Sequence, residues 1–147
     1  MKVKIIAFGK LGRGSEQTMI DDYIRRLPWA TEITEYEIKK PAKTAELRKA
    51  QEAEKLLAAI PPGAALVVLD ERGKALSSRQ FSGKIMDWAN EGTSTVVFII
   101  GGADGLDESV RRKAKLVLGF GSSTWPHKLV RVMLVEQIYR AWSISTG

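Results

Sequence analysis

Three short segments carry the residue types from which a binding or catalytic site is built. They are Leu69-Asp70-Glu71-Arg72-Gly73, Gly101-Gly102-Ala103-Asp104-Gly105, and Gly119-Phe120-Gly121-Ser122-Ser123-Thr124-Trp125-Pro126-His127. Each follows an apolar run. Glycines after a buried strand let the backbone approach a ligand and allow positive φ. A tight strand-to-helix turn explains the second segment equally well. In the third, backbone amides and carbonyls can read the polar edge of an adenine. Phe120 or Trp125 can pack on its ring, or simply belong to the core. An earlier loop, Gly9 to Gly14, is spaced G-x-x-G-x-G. The dinucleotide fingerprint needs G-x-G-x-x-G opening a helix. That loop therefore reads as a turn or lid first, and as a substrate contact second.

Polar residues also interrupt the last apolar stretch, from about Pro126 to Ile144. They are His127, Lys128, Arg131, Glu136, Gln137 and Arg140. Glu136 and Arg140 are spaced i,i+4 and can pair on a helix, as can His127 and Arg131. Charges in an otherwise apolar helix are expensive unless paired or functional. Structural pairing and functional use stand level on spacing alone.

The chain that positions these groups has 147 residues, 23 Lys+Arg and 17 Asp+Glu, giving a net charge of +6. That length suits one domain, residues 1–147, with a sizeable core. The absence of cysteine excludes disulfides, a thiolate nucleophile and Cys-ligated zinc. A single histidine excludes a His cluster, so no metal is expected. No apolar run approaches the ~20 residues of a membrane span. Met1 to Gly9 lacks a signal-peptide layout, which makes the cytoplasm the expected compartment. The basic excess points weakly to an anionic partner.

Strand and helix patterns alternate about five times along the chain. Val3–Phe8, Ala64–Leu69 and Thr95–Ile100 are apolar runs suited to covered strands. Ile33 to Ile38 alternates, with Thr34, Tyr36 and Ile38 on one face and Glu35 and Glu37 on the other. Ser15 is the expected cap of the first helix and Thr44 that of the second. The second helix is expected to present Leu47, Ala50, Ala53, Leu57 and Ile60 as its inner stripe. Ser77 or Ser78 caps a third helix with Phe81, Ile85, Trp88 and Ala89 inside. Asp107 caps a short fourth. This order predicts an α/β fold, a mostly parallel sheet with helices on both faces. Ligands of such sheets bind beyond the carboxyl ends of the strands, where all three segments fall. The last helix is apolar around most of its circumference. One face is expected in the parent sheet and the other against a second subunit, with Leu134 at the dimer contact.

Several of these segments together resemble a known family. They are Met1-Lys2-Val3-Lys4-Ile5-Ile6-Ala7-Phe8-Gly9-Lys10, Leu69-Asp70, Phe98-Ile99-Ile100-Gly101-Gly102-Ala103-Asp104-Gly105, Pro126-His127-Lys128-Leu129-Val130-Arg131 and Glu136-Gln137-Ile138-Tyr139-Arg140-Ala141-Trp142-Ser143-Ile144. Nearly end to end, the chain is similar to the ribosomal RNA large subunit methyltransferase H family, small members of the SPOUT class. The resemblance implies an S-adenosylmethionine-dependent enzyme that methylates N3 of a pseudouridine in helix 69 of 23S rRNA, within the assembled ribosome. It implies a homodimer and a deep trefoil knot near the C-terminus, which pattern reasoning would reject as very rare. It places cofactor contacts at Leu69, Gly101 and Gly102, and at Gly121, Ser122, Ser123, Thr124, Trp125 and Pro126.

Methyl transfer from a sulfonium is an in-line displacement that needs neither metal nor protein nucleophile. The protein must align the reacting atoms and help N3 lose its proton. Glu136, His127 and Arg140 are the catalytic candidates. Arg140 can bind phosphate or stabilise a deprotonated uracil ring, and Glu136 can act as base or simply hold Arg140. Lys10, Arg13, Lys39, Lys40, Lys43 and Arg131 are the RNA candidates. Family members continue for several residues past the position of Gly147, with a tail bearing histidine, tyrosine and arginine expected to serve RNA recognition or catalysis. The rival readings are a nucleotide-binding regulatory domain using the same loops, and a non-enzymatic ribosome-binding factor. A side chain at position 102, as in Gly102→Val, is expected to enter the cofactor's space.

Overall fold

The apolar runs pair side by side into a single sheet, and the alternating order of elements forces the connecting helices onto its two faces. A computed structural model describes residues 1–147. In chain order the elements are β1 (Lys2–Phe8), α1 (Ser15–Arg26), β2 (Ala30–Tyr36), α2 (Ala45–Ala58), β3 (Ala65–Ala75), α3 (Ser78–Asn90), β4 (Thr95–Ile100), α4 (Glu108–Lys113), β5 (Leu116–Gly119) and α5 (His127–Ser145). All strand pairings are parallel, in the spatial order β2-β1-β4-β3-β5. The α/β expectation holds.

Side chains of alternating strand positions feed two cores. Val3, Ile5 and Ala7 of β1, with Val67 of β3 and Phe98 of β4, pack beneath α1, α3 and α5. Ile6, Val68 and Ile99 point the other way, to Ala53 and Leu56 of α2 and Val110 of α4. β1, β3 and β4 are covered on both faces, which is why they read as continuous apolar runs. No helix is long and apolar enough to cross a membrane.

Several local expectations change. Ser15 is the first residue of α1 rather than its cap; Gly14 holds the cap position and makes no side-chain bond. Thr44 and Ser77 do cap α2 and α3, and Ser77 forms a reciprocal capping box with Gln80. β2 lies earlier than Ile33–Ile38, because it pairs with β1 residue for residue from Lys2–Ala30 to Phe8–Tyr36. The inner stripe of α2 is also rotated. Leu56 is fully buried while Leu47 is 57% exposed. Arg48 and Glu52 take the inward side of the first turns instead, for reasons that lie in the site.

Leu134 is 0% exposed within its own chain. It therefore cannot be the dimer contact expected of it. α5 sits between α1 and α3 and spends Val132, Leu134, Val135, Ile138 and Ala141 on its own core. Leu129, at 40% exposure, and the half-buried Met133 and Ile144 are apolar residues it leaves off that core.

Strand β3 meets β5 in two registers. Leu69 pairs with Leu118, and then Lys74 pairs with Leu118 and Ala75 with Gly119, so that Asp70 to Gly73 loop out between them. The backbones pass so close that a Cβ at Gly73 would lie 2.7 Å from the carbonyl carbon of Leu118. A Cβ at Gly119 would lie 2.8 Å from the carbonyl oxygen of Asp70. Only glycine fits either position.

Candidate functional site

The third strand does not end at Leu69 as its apolar run suggested but resumes after the Asp70–Gly73 bulge and continues to Ala75. That bulge and the segments that follow β4 and β5 enclose a cleft of about 530 Å³. A volume of that size suits a small-molecule ligand. Leu69, Ile100 and Leu118 come from the strand ends, and Leu106, Phe120 and Val130 add further apolar surface. Lys49, Asp70, Glu71, Asp104 and His127 supply charge and polarity.

The loop from Gly119 to Pro126 is held by its own side chains. The Trp125 indole N–H donates to the carbonyl of Phe120 at 3.0 Å. The Thr124 hydroxyl donates to the Glu71 carboxylate at 2.6 Å, tying this loop to the bulge of β3. Gly121 has φ +94°, a left-handed conformation that favours glycine. Trp125 lines the cleft with 43% of its surface exposed. Of the expected cofactor residues, Leu69, Gly101, Gly102, Ser123, Thr124 and Trp125 line the cleft. Gly121, Ser122 and Pro126 belong to the same loop but do not line it.

The Gly101–Gly105 loop is closed on itself by a bridge between Gly102 and Gly105. It is also held from outside, by α2. Arg48 grips the Asp104 carboxylate with two bonds, from Nε at 2.8 Å and Nη2 at 3.2 Å. One helical turn on, Glu52 accepts the Gly102 N–H at 3.3 Å. This explains the rotated stripe of α2. The Arg48 hydrogen bond holds the Asp104 carboxyl below its ordinary pKa. Burial pushes the Glu52 carboxyl up, and the nearby Asp104 charge adds to that, against the opposing Gly102 N–H and Arg48. A Cβ at Gly102 would lie 2.7 Å from the Glu52 carboxylate. The space beside Gly102 therefore belongs to Glu52, and not to a ligand as expected from the sequence. Arg48 and Glu52 were not anticipated as site residues. Their i,i+4 spacing was visible, but their partners lie some fifty positions away.

The polar residues of α5 separate into distinct environments. His127 is exposed at the cleft. Glu136 and Arg140 pair as their spacing predicts, with Arg140 Nε 2.8 Å from Glu136 Oε1. Glu136 lines a second hollow of about 550 Å³, with Met19, Tyr23, Phe81 and Met133, rather than the cleft. Arg131 does not pair with His127. It is 6% exposed and donates to the Glu35 carboxylate and to the carbonyl of Gly9. A cation so buried cannot reach a phosphate, so Arg131 leaves the set of RNA candidates. Lys10, Arg13, Lys39, Lys40 and Lys43 are all exposed.

A family described as "Predicted SPOUT methyltransferase" matches residues 1–147, the whole chain. The chain is 46% identical to the ribosomal RNA large subunit methyltransferase H of Rhodospirillum centenum, over 100% of this chain and 96% of that protein. It is 47% identical to the protein of the same name from Paramagnetospirillum magneticum, over the same shares. This chain belongs to the ribosomal RNA large subunit methyltransferase H family. Among solved structures, the SpoU methyltransferase AviRb from Streptomyces viridochromogenes, in complex with the cofactor AdoMet, is similar at TM-score 0.49 and 14% identity. That likeness covers 100% of this chain and 61% of the other, so this chain spans less than two thirds of that protein.

The cleft of this methyltransferase has an aromatic and aliphatic lining that suits a nucleoside base. Its carboxylates already have partners within the chain: Asp104 is held by Arg48, Asp70 by Arg111 and Arg72, and Glu71 accepts from Thr124.

Proposed function

We propose that this chain transfers a methyl group from S-adenosylmethionine to ribosomal RNA, and that the acceptor is N3 of a pseudouridine in helix 69 of 23S rRNA in the assembled ribosome. The observation that carries the reading is the cleft itself. It lies at the carboxyl ends of β4 and β5 and the bulge of β3, in a chain nearly half identical over its full length to methyltransferases named for large-subunit ribosomal RNA. Work on the assembled ribosome implies the cytoplasm.

S-adenosylmethionine, when bound, supplies an electrophilic methyl group on a sulfonium. The rest falls to the protein. Leu69, Gly101, Gly102 and the segment of Gly121, Ser122, Ser123, Thr124, Trp125 and Pro126 are the residues that would hold it. The apolar lining keeps water from the reacting atoms, and the loops fix their alignment. His127, exposed at the cleft, is the candidate nearest to accept a proton from an incoming base. Glu136 holds Arg140 through its carboxylate, leaving the guanidinium half exposed to meet a phosphate or an anionic ring. The two groups line different hollows in one chain. A homodimer through α5 that joins the cleft of one subunit to the Glu136–Arg140 pair of the other completes the site in this reading. Met133, which lines the second hollow, and the outward Leu129 one turn before it support that contact. Lys10, Arg13, Lys39, Lys40 and Lys43 provide the exposed positive charge for the RNA backbone. A trefoil knot near the C-terminus belongs to the same reading.

Labelled S-adenosylmethionine and ribosomes from a strain lacking this modification test the proposal. Label is expected in 23S rRNA from whole ribosomes. Cofactor binding without transfer would instead identify a regulatory domain, and ribosome binding with no cofactor affinity an assembly factor.

A further inference from the structure

We infer that α2 is a positioning arm of the cofactor site, and that Glu52, assisted by Arg48, sets the conformation of the Gly101–Gly105 loop before any ligand arrives. The inference rests on the reading of the cleft as a cofactor site and adds residues that the sequence did not assign to it. Neither Glu52 nor Arg48 lines the cleft, so their action passes through the loop.

Four observations converge. Glu52 accepts the Gly102 N–H at 3.3 Å. Arg48 grips Asp104 through two nitrogens. Arg48 also donates to the carbonyls of Ala42, at 3.2 Å, and Lys43, at 3.1 Å, which fixes it to the segment leading into its own helix. Finally, glycine at 102 is what lets the carboxylate come so close, since a Cβ there would meet it at 2.7 Å. A glycine-rich loop has many conformations, and ordering it at the moment of binding lowers affinity. Two contacts near its ends, at Gly102 and Asp104, remove much of that freedom in advance. Both contacts come from one helix, and Ala53 and Leu56 anchor that helix in the core. Placing charged residues on the inward side of α2, where the periodicity called for Leu47 and Ala50, is thereby explained.

The contact also makes Glu52 and Gly102 interdependent. Adding a methyl at 102 displaces the carboxylate, and removing the carboxylate leaves the amide without its acceptor. Either change breaks the same bond. Glu52→Ala and Gly102→Ala are therefore non-additive, while Glu52→Gln keeps an oxygen acceptor for the amide.

The test uses the full chain and two readouts. Amide hydrogen exchange at Gly102, followed without cofactor, should accelerate about tenfold in Glu52→Ala and stay within about twofold of the parent in Glu52→Gln. Calorimetry with S-adenosylmethionine should show Kd raised about three- to tenfold in Glu52→Ala, the same in Gly102→Ala, and no further increase in the double variant. In turnover the change should fall on KM for the cofactor rather than on kcat. Arg48→Ala should shift both readouts in the same direction by less. Unchanged exchange and unchanged Kd in a folded Glu52→Ala overturn the inference, as does full additivity with Gly102→Ala, or a Glu52→Gln as impaired as Glu52→Ala. Absence of cofactor binding by the parent protein would overturn the cofactor reading, whereas the exchange readout still reports on the arm.

Discussion

Arg131, in the second turn of α5, is buried against Glu35 at the far end of β2. The Glu35 carboxylate also accepts the Leu11 N–H at 2.8 Å, and Arg131 reaches the Gly9 carbonyl at 3.3 Å. One ion pair thus joins α5, β2 and the Gly9–Gly14 loop that carries Lys10 and Arg13. Burial alone would raise the Glu35 carboxyl. The Arg131 hydrogen bond, the Leu11 N–H and the charges of Arg131 and Lys10 outweigh it and hold the group below the ordinary carboxylate range.

Glu35→Gln is expected to cost about 1–3 kcal/mol at neutral pH. That is less than a fully buried pair would lose, because a third of the Glu35 side chain stays in water. The sign of the pH dependence follows from a lowered pKa. The stabilisation is present above the ordinary carboxylate range and is lost as pH falls through the lowered value. Urea unfolding of both proteins across this range should show the difference shrinking in acid. A difference that stays constant or grows in acid would show that the charge of Glu35 is not what matters.

Glu52 has the opposite sign. Its carboxyl is raised, chiefly by burial, so folding favours the protonated form. The contribution is complete in acid below the ordinary range and is lost as pH rises through the raised value. Glu52→Gln should therefore melt with the parent in acid and above it at neutral pH. Thermal melts at the two pH values check this, and a variant less stable at neutral pH would contradict it.

Leu134 and Met133 are neighbours in sequence with opposite fates. Leu134→Ala should cost about 2–5 kcal/mol of folding stability, as expected for a fully buried leucine. Met133→Glu, with or without Leu129→Glu, should keep the fold and separate the subunits. Sedimentation together with circular dichroism distinguishes the two outcomes. A folded Met133→Glu, Leu129→Glu double variant that remains dimeric would move the interface away from this face of α5.

Replacing Lys39, Lys40 and Lys43 by alanine should weaken ribosome binding without changing cofactor affinity. Each lost phosphate contact should reduce the slope of log K against log salt by roughly 0.7–0.9. A triple variant with an unchanged slope would place the RNA elsewhere.

The sheet was legible in the sequence because β1, β3 and β4 are buried on both faces, and an apolar run records that directly. The loops around the cleft followed from the sheet, since ligands of parallel sheets gather at the strand ends. What was not legible depends on residues distant in the chain. Glu35 reads as the polar face of an alternating strand until Arg131 is placed over it. Arg48 and Glu52 read as the outer face of α2 until Asp104 and Gly102 come beneath them. Leu134 reads as a spare apolar residue because periodicity counts apolar faces but does not say how many neighbours the same chain can supply. α1 and α3 flank α5 and take up more of its circumference than one sheet would.

The most direct test of the account is mass analysis of the helix 69 fragment of 23S rRNA after ribosomes lacking the modification are incubated with the protein and S-adenosylmethionine. One methyl group on a pseudouridine, at N3, is the predicted result. A helix 69 fragment of unchanged mass, from ribosomes that a known active relative can methylate in parallel, would contradict it.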